Sequence, residues 1–237
     1  MQGVYFIAGV IVKISYAFNY TGEVLKNYAY KGDSPHQAEV EISKADIEYE
    51  DKVFPGNPEH FLENLAVLRK LAKVLLVNFN AMLFHGSSIE CGGKAYVFTA
   101  PSGTGKSTHA SLLKKLLGDK LRYINDDKPI FRVIDNKVYV CGSPWNGKHG
   151  LGSNISAPLK AVCIIKRAKE NKIEEIEPNA ALKFLFEQSL AFQDEESANK
   201  VLDVLFLVLS QAKFYVLHCN KELDAARCSY EGMIYED

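Results

Sequence analysis

Two spacings of apolar residues divide the chain. From Gly3 to Glu50 the pattern is typical of strands: the apolar run VYFIAGVIVKISYAF is followed by AEVEISKADIEYE, in which apolar and polar residues alternate. These residues predict strands that build or cover one face of a sheet. Three roles remain open for them: substrate recognition, extension of the core sheet, or formation of a homo-oligomer.

A helical spacing begins after the break PGNP at residues 55–58. Apolar residues then recur every three or four positions, which predicts one long helix with an apolar stripe against the sheet and with Glu63 and Lys70 on its polar side. The predicted stripe consists of Phe61, Leu65, Leu68, Ala72, Leu75, Phe79 and Met82. We therefore expect an N-terminal β-rich segment with a long packing helix over residues 1–80 and a second unit over residues 81–237.

Strand and helix patterns alternate through the second unit, which predicts an α/β fold with a mixed sheet. Gly92-Gly93 and Asp135-Asn136 are hairpin signals, and LRYIN, LKAVCIIKR and KFYVLHC have the composition of core strands. The polar stretch AKENKIEEIEP is typical of a loop or hairpin. Its basic residues and Arg167 before them could contact nucleotide or substrate, but the interleaved glutamates favour a solvated turn. Helices are expected over residues 179–190, 195–209 and 221–234.

Charge and composition exclude several classes of function. The 237 residues are 47% hydrophobic and 24% charged with a net charge of −1, so no global basic field attracts nucleic acid or an anionic membrane. No apolar run reaches the roughly 20 residues of a membrane helix, and no signal peptide is evident. The five cysteines are scattered and form no C-x-x-C pair, which favours reduced thiols in a cytoplasmic protein.

The sequence YVFTAPSGTGKST, residues 96–108, carries the strongest chemical signal. A β-type run leads into a turn with two glycines and then into a helix that begins near Lys106, as in a phosphate-binding loop. Ala100 stands where the usual pattern has its first glycine. The backbone N–H groups of this turn predict binding of ATP phosphates, with Lys106 on the outer phosphates and Ser107 on Mg²⁺. The expected nucleotide-binding residues are Ser102, Gly103, Thr104, Gly105, Lys106, Ser107 and Thr108.

Two further elements carry residues with matching chemistry. Asp126 and Asp127 follow a predicted strand, and a kinase needs one carboxylate for the metal and one to accept a hydroxyl proton. The same pair is also common in turns. His85 precedes the Gly92-Gly93 hairpin, which folds it back towards the phosphate loop, although a structural histidine fits its pattern equally well.

A glycine-rich segment, SPWNGKHGLGSN, follows the second predicted hairpin. It contains the only tryptophan, Trp145, and places Lys148 between Gly147 and Gly150. A mobile basic loop of this kind can close over a transferring phosphoryl group, and we prefer this interpretation to an ordinary surface loop with a packed tryptophan.

Four motifs, FHGSSI, APSGTGKST, INDDKP and SPWNGK, together resemble those of the HPr kinase/phosphorylase family and its small relatives and, more distantly, ATP-dependent phosphoenolpyruvate carboxykinase. The resemblance covers residues 83 to the C-terminus. It implies a P-loop kinase core of that type, with His85 and both aspartates in the active site, Asp126 as the base and Asp127 on the metal. The chain lacks the glycine-rich signature with which HPr kinases engage their partner.

We therefore expect an ATP- and Mg²⁺-dependent kinase that transfers the γ-phosphoryl group to a hydroxyl, a Ser of a peptide or protein other than HPr. The expected catalytic residues are Asp126, His85, Lys106 and Lys148, and the expected metal ligands are Ser107 and Asp127. Two alternatives stay open: a kinase of small hydroxyl compounds, and a nucleotide-dependent binding protein without transfer. GTP or pyrophosphate as the donor is also open.

Overall fold

The computed structural model describes residues 1–235. Its first element is a hairpin, because strand β1 (Gln2–Ile7) pairs antiparallel with β2 (Val10–Ser15) around a turn in which Ala8 and Gly9 have positive φ angles. The short strand β3 (Ala38–Glu41) adds parallel to β2 and completes a three-stranded sheet. The long apolar run that we expected to continue as strand is therefore two strands, followed by helix α1 (Asn19–Leu25).

The prediction of a strand around Ile47 and Tyr49 is wrong, because helix α2 (Lys44–Val53) occupies this stretch. A capping box begins the helix: the Ser43 hydroxyl accepts from the N–H of Asp46, and the Asp46 carboxylate accepts from the N–H of Ser43. The helix packs on the next one, to which it is tied by the ion pair between Asp46 and Lys70 at 2.7 Å.

The long helix α3 (Glu59–Phe79) is present, but its buried face differs from the predicted stripe. Of the predicted stripe, only Ala72, Leu75 and the strand residue Met82 are buried. Glu63, which we expected on the polar side, is buried and accepts hydrogen bonds from the N–H groups of Ala17 and Phe18. The buried apolar residues of the helix are Leu62, Ala66, Val67, Leu71, Ala72, Leu75 and Leu76.

The second sheet is mixed and nine-stranded, as the α/β prediction requires. Its main path is β4-β8-β9-β10-β6-β5-β7, and β12 pairs with both β10 and β11. Both predicted hairpins are confirmed, since β5 and β6 join at Gly92-Gly93 and β8 and β9 at Asp135-Asn136. The strands are β4 (Ala81–Leu83), β5 (Ser87–Cys91), β6 (Lys94–Thr99), β7 (Leu121–Asn125), β8 (Ile130–Ile134), β9 (Lys137–Cys141), β10 (Ser156–Arg167), β11 (Lys172–Ile176) and β12 (Lys213–Cys219).

Besides α3, which contacts β4, four helices pack against this sheet. Two clusters of buried side chains mark the packing, one beneath α5 (Pro178–Gln188) and α6 (Glu195–Gln211) and one beneath α4 (Lys106–Leu117) and α7 (Leu223–Ser229). The predicted closing helix is present as α7 but is shorter than expected, because its last part forms a π-helical turn over Tyr230–Ile234. No helix within residues 1–235 is both long and apolar enough to cross a membrane.

The sheet order places the candidate residues at one edge. Strand β5 lies between β6 and β7 and is antiparallel to both, so β6 and β7 run in the same direction and end at the same edge. The phosphate loop follows β6, the aspartate pair follows β7, and His85 precedes β5 at this edge. The division into segments 1–80 and 81–237 stays a prediction; one buried cluster contains residues of both, among them Leu71, Leu75, Ile130 and Trp145.

Candidate active site

The loop between β6 and α4 has the backbone that phosphate binding needs. Gly103 and Gly105 have φ angles of 75° and 126°, values that strongly favour glycine, and an added Cβ at either position meets only open space. Backbone geometry, not crowding, therefore explains the two glycines. The helix begins at Lys106, so its free N–H groups and positive end lie at the turn.

Lys106 is buried and folds back over its own loop, where its Nζ donates to the carbonyl oxygen of Ala100 at 2.9 Å. Burial lowers the pKa of Lys106, and the nearby carboxylates of Asp127 and Asp126 oppose that shift. Ala100 stands where the usual motif has glycine, but its contact with Lys106 is made by the backbone carbonyl, which any residue can supply.

A cavity of about 510 Å³ opens beside this loop and brings the candidate residues together. Of the residues predicted from the sequence, only Thr104 does not line it; Thr104 faces the outer side of the loop, near Arg167. The lining residues are His85, Ser102, Gly103, Gly105, Lys106, Ser107, Thr108, Asp126, Asp127, Gly147, Lys148 and His149.

Asp126 is the most deeply buried acid of the cavity, with 2% of its surface exposed. Its Oδ1 accepts from the Ser87 hydroxyl at 2.9 Å, while its Oδ2 has no hydrogen-bond partner among the described residues. Burial raises the pKa of Asp126, and the neighbouring hydroxyls of Ser87 and Ser107 act in the opposite direction. A buried carboxylate oxygen without a partner is expected to gain one from a ligand, a proton or a cation.

Asp127 lies next to Asp126 and is more exposed. Its two oxygens face the Nε2 atom of His85 at 3.5 Å and the Nζ atom of Lys128 at 3.2 Å. His85 is held by Gln188, whose Oε1 atom lies 2.9 Å from the imidazole Nδ1. Burial and the charges of Lys106 and Lys128 lower the pKa of His85, which favours the neutral ring.

This oxygen-rich set fits Mg²⁺, which binds through one or two carboxylates together with substrate phosphates. Ser107, Asp126 and Asp127 line the same cavity and supply such ligands. Within residues 1–235, no group of three or more His, Cys, Asp or Glu side chains forms a metal-binding cluster.

The glycine-rich loop contains a packed tryptophan, and its closure over a phosphoryl group stays a prediction. Trp145 is buried, and its indole N–H donates to Asn64 on α3 at 3.2 Å. Two residues further along the chain, Gly147, Lys148 and His149 line the same cavity as the phosphate loop. A packed tryptophan therefore anchors the segment that brings Lys148 to the candidate site.

Sequence reasoning missed two residues that hold the site in shape. Arg167, at the end of β10, donates to the carbonyl oxygens of Gly103 and Thr104, so it contacts the outer face of the phosphate loop instead of lying in a solvated turn. Asn125 is buried beneath the aspartate pair and accepts hydrogen bonds from the N–H groups of Asp127 and Lys128. The sequence did contain a signal for Asn125, because it stands directly before two acids at the end of a predicted strand.

No protein-family model matches the chain, and no curated protein matches it. Among solved structures, the chain is similar to the Hpr(Ser) kinase/phosphatase from Coxiella burnetii, at 12% sequence identity and a TM-score of 0.31. The match covers 40% of this chain and 71% of that chain. A likeness of this size supports no inference about activity, and the relation to HPr kinases stays a resemblance in the motifs.

Proposed function

We propose that the protein is a kinase that transfers the γ-phosphoryl group of ATP to a hydroxyl group. The observation that carries this proposal is one cavity in which a phosphate loop faces two aspartates, one of them with a buried oxygen that lacks a partner among residues 1–235. Phosphate loops alone occur in many binding proteins, whereas acids beside the outer phosphates are what phosphoryl transfer requires.

The loop binds the donor through its N–H groups from Gly103 to Ser107. Lys106 leaves the Ala100 carbonyl for the outer phosphates, a change of partner that its flexible side chain allows. Ser107 and Asp127 would hold Mg²⁺, which would neutralise charge on the phosphates. The acceptor oxygen bonds to the γ-phosphorus while the bond from that phosphorus to the bridging oxygen breaks, so that ADP leaves.

Asp126 is the base in this proposal and takes the proton of the acceptor hydroxyl. A carboxylate whose pKa is raised by burial is a better base than an exposed one, and its Oδ2 is free to accept. Since Ser107 also lies near Asp126, the alternative exchanges the roles of the two aspartates. In both assignments, Lys148 contacts the transferring phosphoryl group and His85 contacts Asp127.

The acceptor we propose is a Ser of a peptide or protein other than HPr, and the test must identify it. The protein is incubated with γ-labelled ATP, Mg²⁺ and a lysate separated into protein and metabolite fractions. Label in the protein fraction supports the proposal in full, and label only in the metabolite fraction gives a small-molecule kinase. Binding of ATP without any labelling leaves a nucleotide-binding protein and rejects transfer.

Asparagine substitutions separate the two aspartates. Asp126→Asn is expected to reduce transfer by about 10³-fold or more while ATP binding persists, because amide nitrogen cannot accept the proton. Asp127→Asn is expected to weaken Mg²⁺ binding, measured by isothermal titration. Asp119→Asn, at an exposed position beyond α4, is the matched control. The reverse outcome, with Mg²⁺ binding lost in Asp126→Asn, assigns the metal to Asp126.

A further inference from the structure

Asn125 ends strand β7 and caps the acidic turn that follows it. Its side chain is fully buried, and its Oδ1 accepts from the N–H groups of Asp127 at 2.8 Å and of Lys128 at 2.6 Å. These two bonds fix the backbone that carries both candidate acids. A buried amide that satisfies consecutive N–H groups in this way defines the turn as strongly as a helix cap defines a helix.

The other end of the same amide holds the glycine-rich loop, which we define as residues 143–152. Asn125 Nδ2 donates to the carbonyl oxygen of Ser143 at 3.0 Å and lies 3.1 Å from its hydroxyl and 3.4 Å from the carbonyl oxygen of Trp145. The far end of the loop returns to the same residue, because Gly152 forms a β-bridge with Asn125. Both ends of the loop are thus attached at Asn125.

Ser143 closes a ring of buried hydrogen bonds between the turn and the loop. Its hydroxyl donates to the carbonyl oxygen of Lys128 at 2.6 Å, and the N–H of Lys128 in turn donates to Asn125. A movement of the loop relative to the acidic turn therefore leaves at least one of these groups without its partner.

We propose that Asn125 is a positioning residue that keeps Asp126, Asp127 and Lys148 around one cavity. Through the same hydrogen bonds, it couples the binding of Mg-ATP in that cavity to the glycine-rich loop. The inference rests on the proposed kinase activity for its effect on rate, but the link itself is a property of the fold. A shift of catalytic groups by about 1 Å is sufficient to reduce a rate about a hundredfold.

The test compares Asn125→Ala and Ser143→Ala with Ser88→Ala. The Ser88 hydroxyl is also fully buried and donates to the backbone carbonyl of Asn125 at 3.1 Å, but it does not contact the loop, so Ser88→Ala is the matched control. Asn125→Ala is expected to lower kcat about a hundredfold with the Kd for Mg-ATP changed less than about threefold. Ser143→Ala is expected to act in the same direction and serves where Asn125→Ala does not fold.

Trp145 is the only tryptophan and gives a second readout, which a merely structural role would not change. Addition of Mg-ATP is expected to change its fluorescence in the wild type and in Ser88→Ala but not in Asn125→Ala. Unchanged kcat together with an intact fluorescence response in Asn125→Ala and Ser143→Ala would overturn the proposal.

Amide hydrogen exchange without nucleotide separates this inference from the proposed activity. Faster exchange in Asn125→Ala both at Asp127 and Lys128 and across the loop supports the link even if the wild type transfers no phosphoryl group. Faster exchange confined to the turn overturns the link, whatever the activity of the wild type.

Discussion

Two cationic side chains hold the phosphate loop, one from within the loop and one from β10. Lys106 bonds to the Ala100 carbonyl within the loop, and Arg167 reaches the carbonyls of Gly103 and Thr104 from β10. The Gly103 and Thr104 carbonyls meet Arg167 on the outer face of the loop, and the N–H of Thr104 donates to the carbonyl oxygen of Pro101 at 3.2 Å. Arg167 thus holds the loop in this conformation, which under the proposed function reduces the conformational entropy lost when a nucleotide binds.

Arg167→Met is expected to weaken Mg-ATP binding about three- to tenfold, equivalent to about 1 kcal/mol for the loss of hydrogen bonds at an exposed site. Thermal stability is expected to change little, since Arg167 is exposed. Isothermal titration measures the affinity. Lys169→Met removes the same charge from the neighbouring turn without a contact to the phosphate loop, and equal weakening in both variants would assign the effect to general electrostatics.

The candidate site was predictable in part because its signals are local. A strand, a glycine turn and GKS lie within thirteen residues, and the acids directly follow their strand. Arg167 was not predictable, since it is 63 and 64 positions away from the two carbonyls that it contacts and only the parallel pairing of β10 with β6 brings it there. Contacts of this range depend on sheet order, which residue spacing does not determine.

At the scale of elements, the turn residues predicted the hairpins correctly, whereas the spacing of apolar residues predicted one helix as a strand and misplaced the buried face of another. Gly92-Gly93 and Asp135-Asn136 form the expected hairpins because each turn requires positive φ at those residues. The alternation of apolar residues up to Tyr49 predicted a strand, yet the Ser43–Asp46 capping box and packing on α3 produce a helix. In α3, burial on more than one side displaced the expected stripe and enclosed Glu63.

The contact between α4 and α7 contains a histidine that makes the fold sensitive to acid. His109 is buried, with its Nε2 2.9 Å from the Ser229 hydroxyl and its ring 4.9 Å from that of Phe98. Its Nδ1 has no partner among the described residues, and burial lowers the pKa of His109 to about 4. An imidazolium in this position would be a buried charge without a carboxylate partner.

We expect this histidine to lower the free energy of unfolding by about 2 kcal/mol between pH 7 and pH 5, because the unfolded chain takes up a proton below about pH 6.5 and the folded chain does not. His109→Gln removes the titrating group, so its stability is expected to fall less over the same range. Urea unfolding at both pH values measures the difference. His60→Gln, at an exposed histidine, should keep the wild-type dependence, and an equal dependence in all three proteins would contradict the assignment.

At the scale of the whole molecule, the N-terminal segment and the rest of the chain share buried surface. Apolar residues of β2 and α3 pack in one cluster with Ile130 and Cys141 of the nine-stranded sheet and with Trp145 of the glycine-rich loop. The indole N–H of Trp145 also bonds to Asn64 of α3. The N-terminal segment therefore supports one wall of the candidate site, although none of its residues lines the cavity.

This shared core predicts that the chain unfolds as one cooperative unit, and Glu63 allows the prediction to be tested from the N-terminal side. Its buried carboxylate accepts from the N–H groups of Ala17 and Phe18 and from the Thr21 hydroxyl, so it fixes the start of α1 against α3. Glu63→Ala leaves these donors without their partner, and we expect it to lower the free energy of unfolding by about 2–4 kcal/mol.

Two spectroscopic probes show which part of the chain loses stability in Glu63→Ala. Trp145 fluorescence reports on the glycine-rich loop and far-UV circular dichroism on the whole chain, and in Glu63→Ala we expect both urea transitions to shift together, since a single core leaves no part that unfolds separately. Glu59→Ala, on the exposed first turn of the same helix, is expected to change stability by less than about 1 kcal/mol. A Trp145 transition that stays at the wild-type position while the dichroism signal shifts would show that residues 1–80 and 81–237 unfold independently.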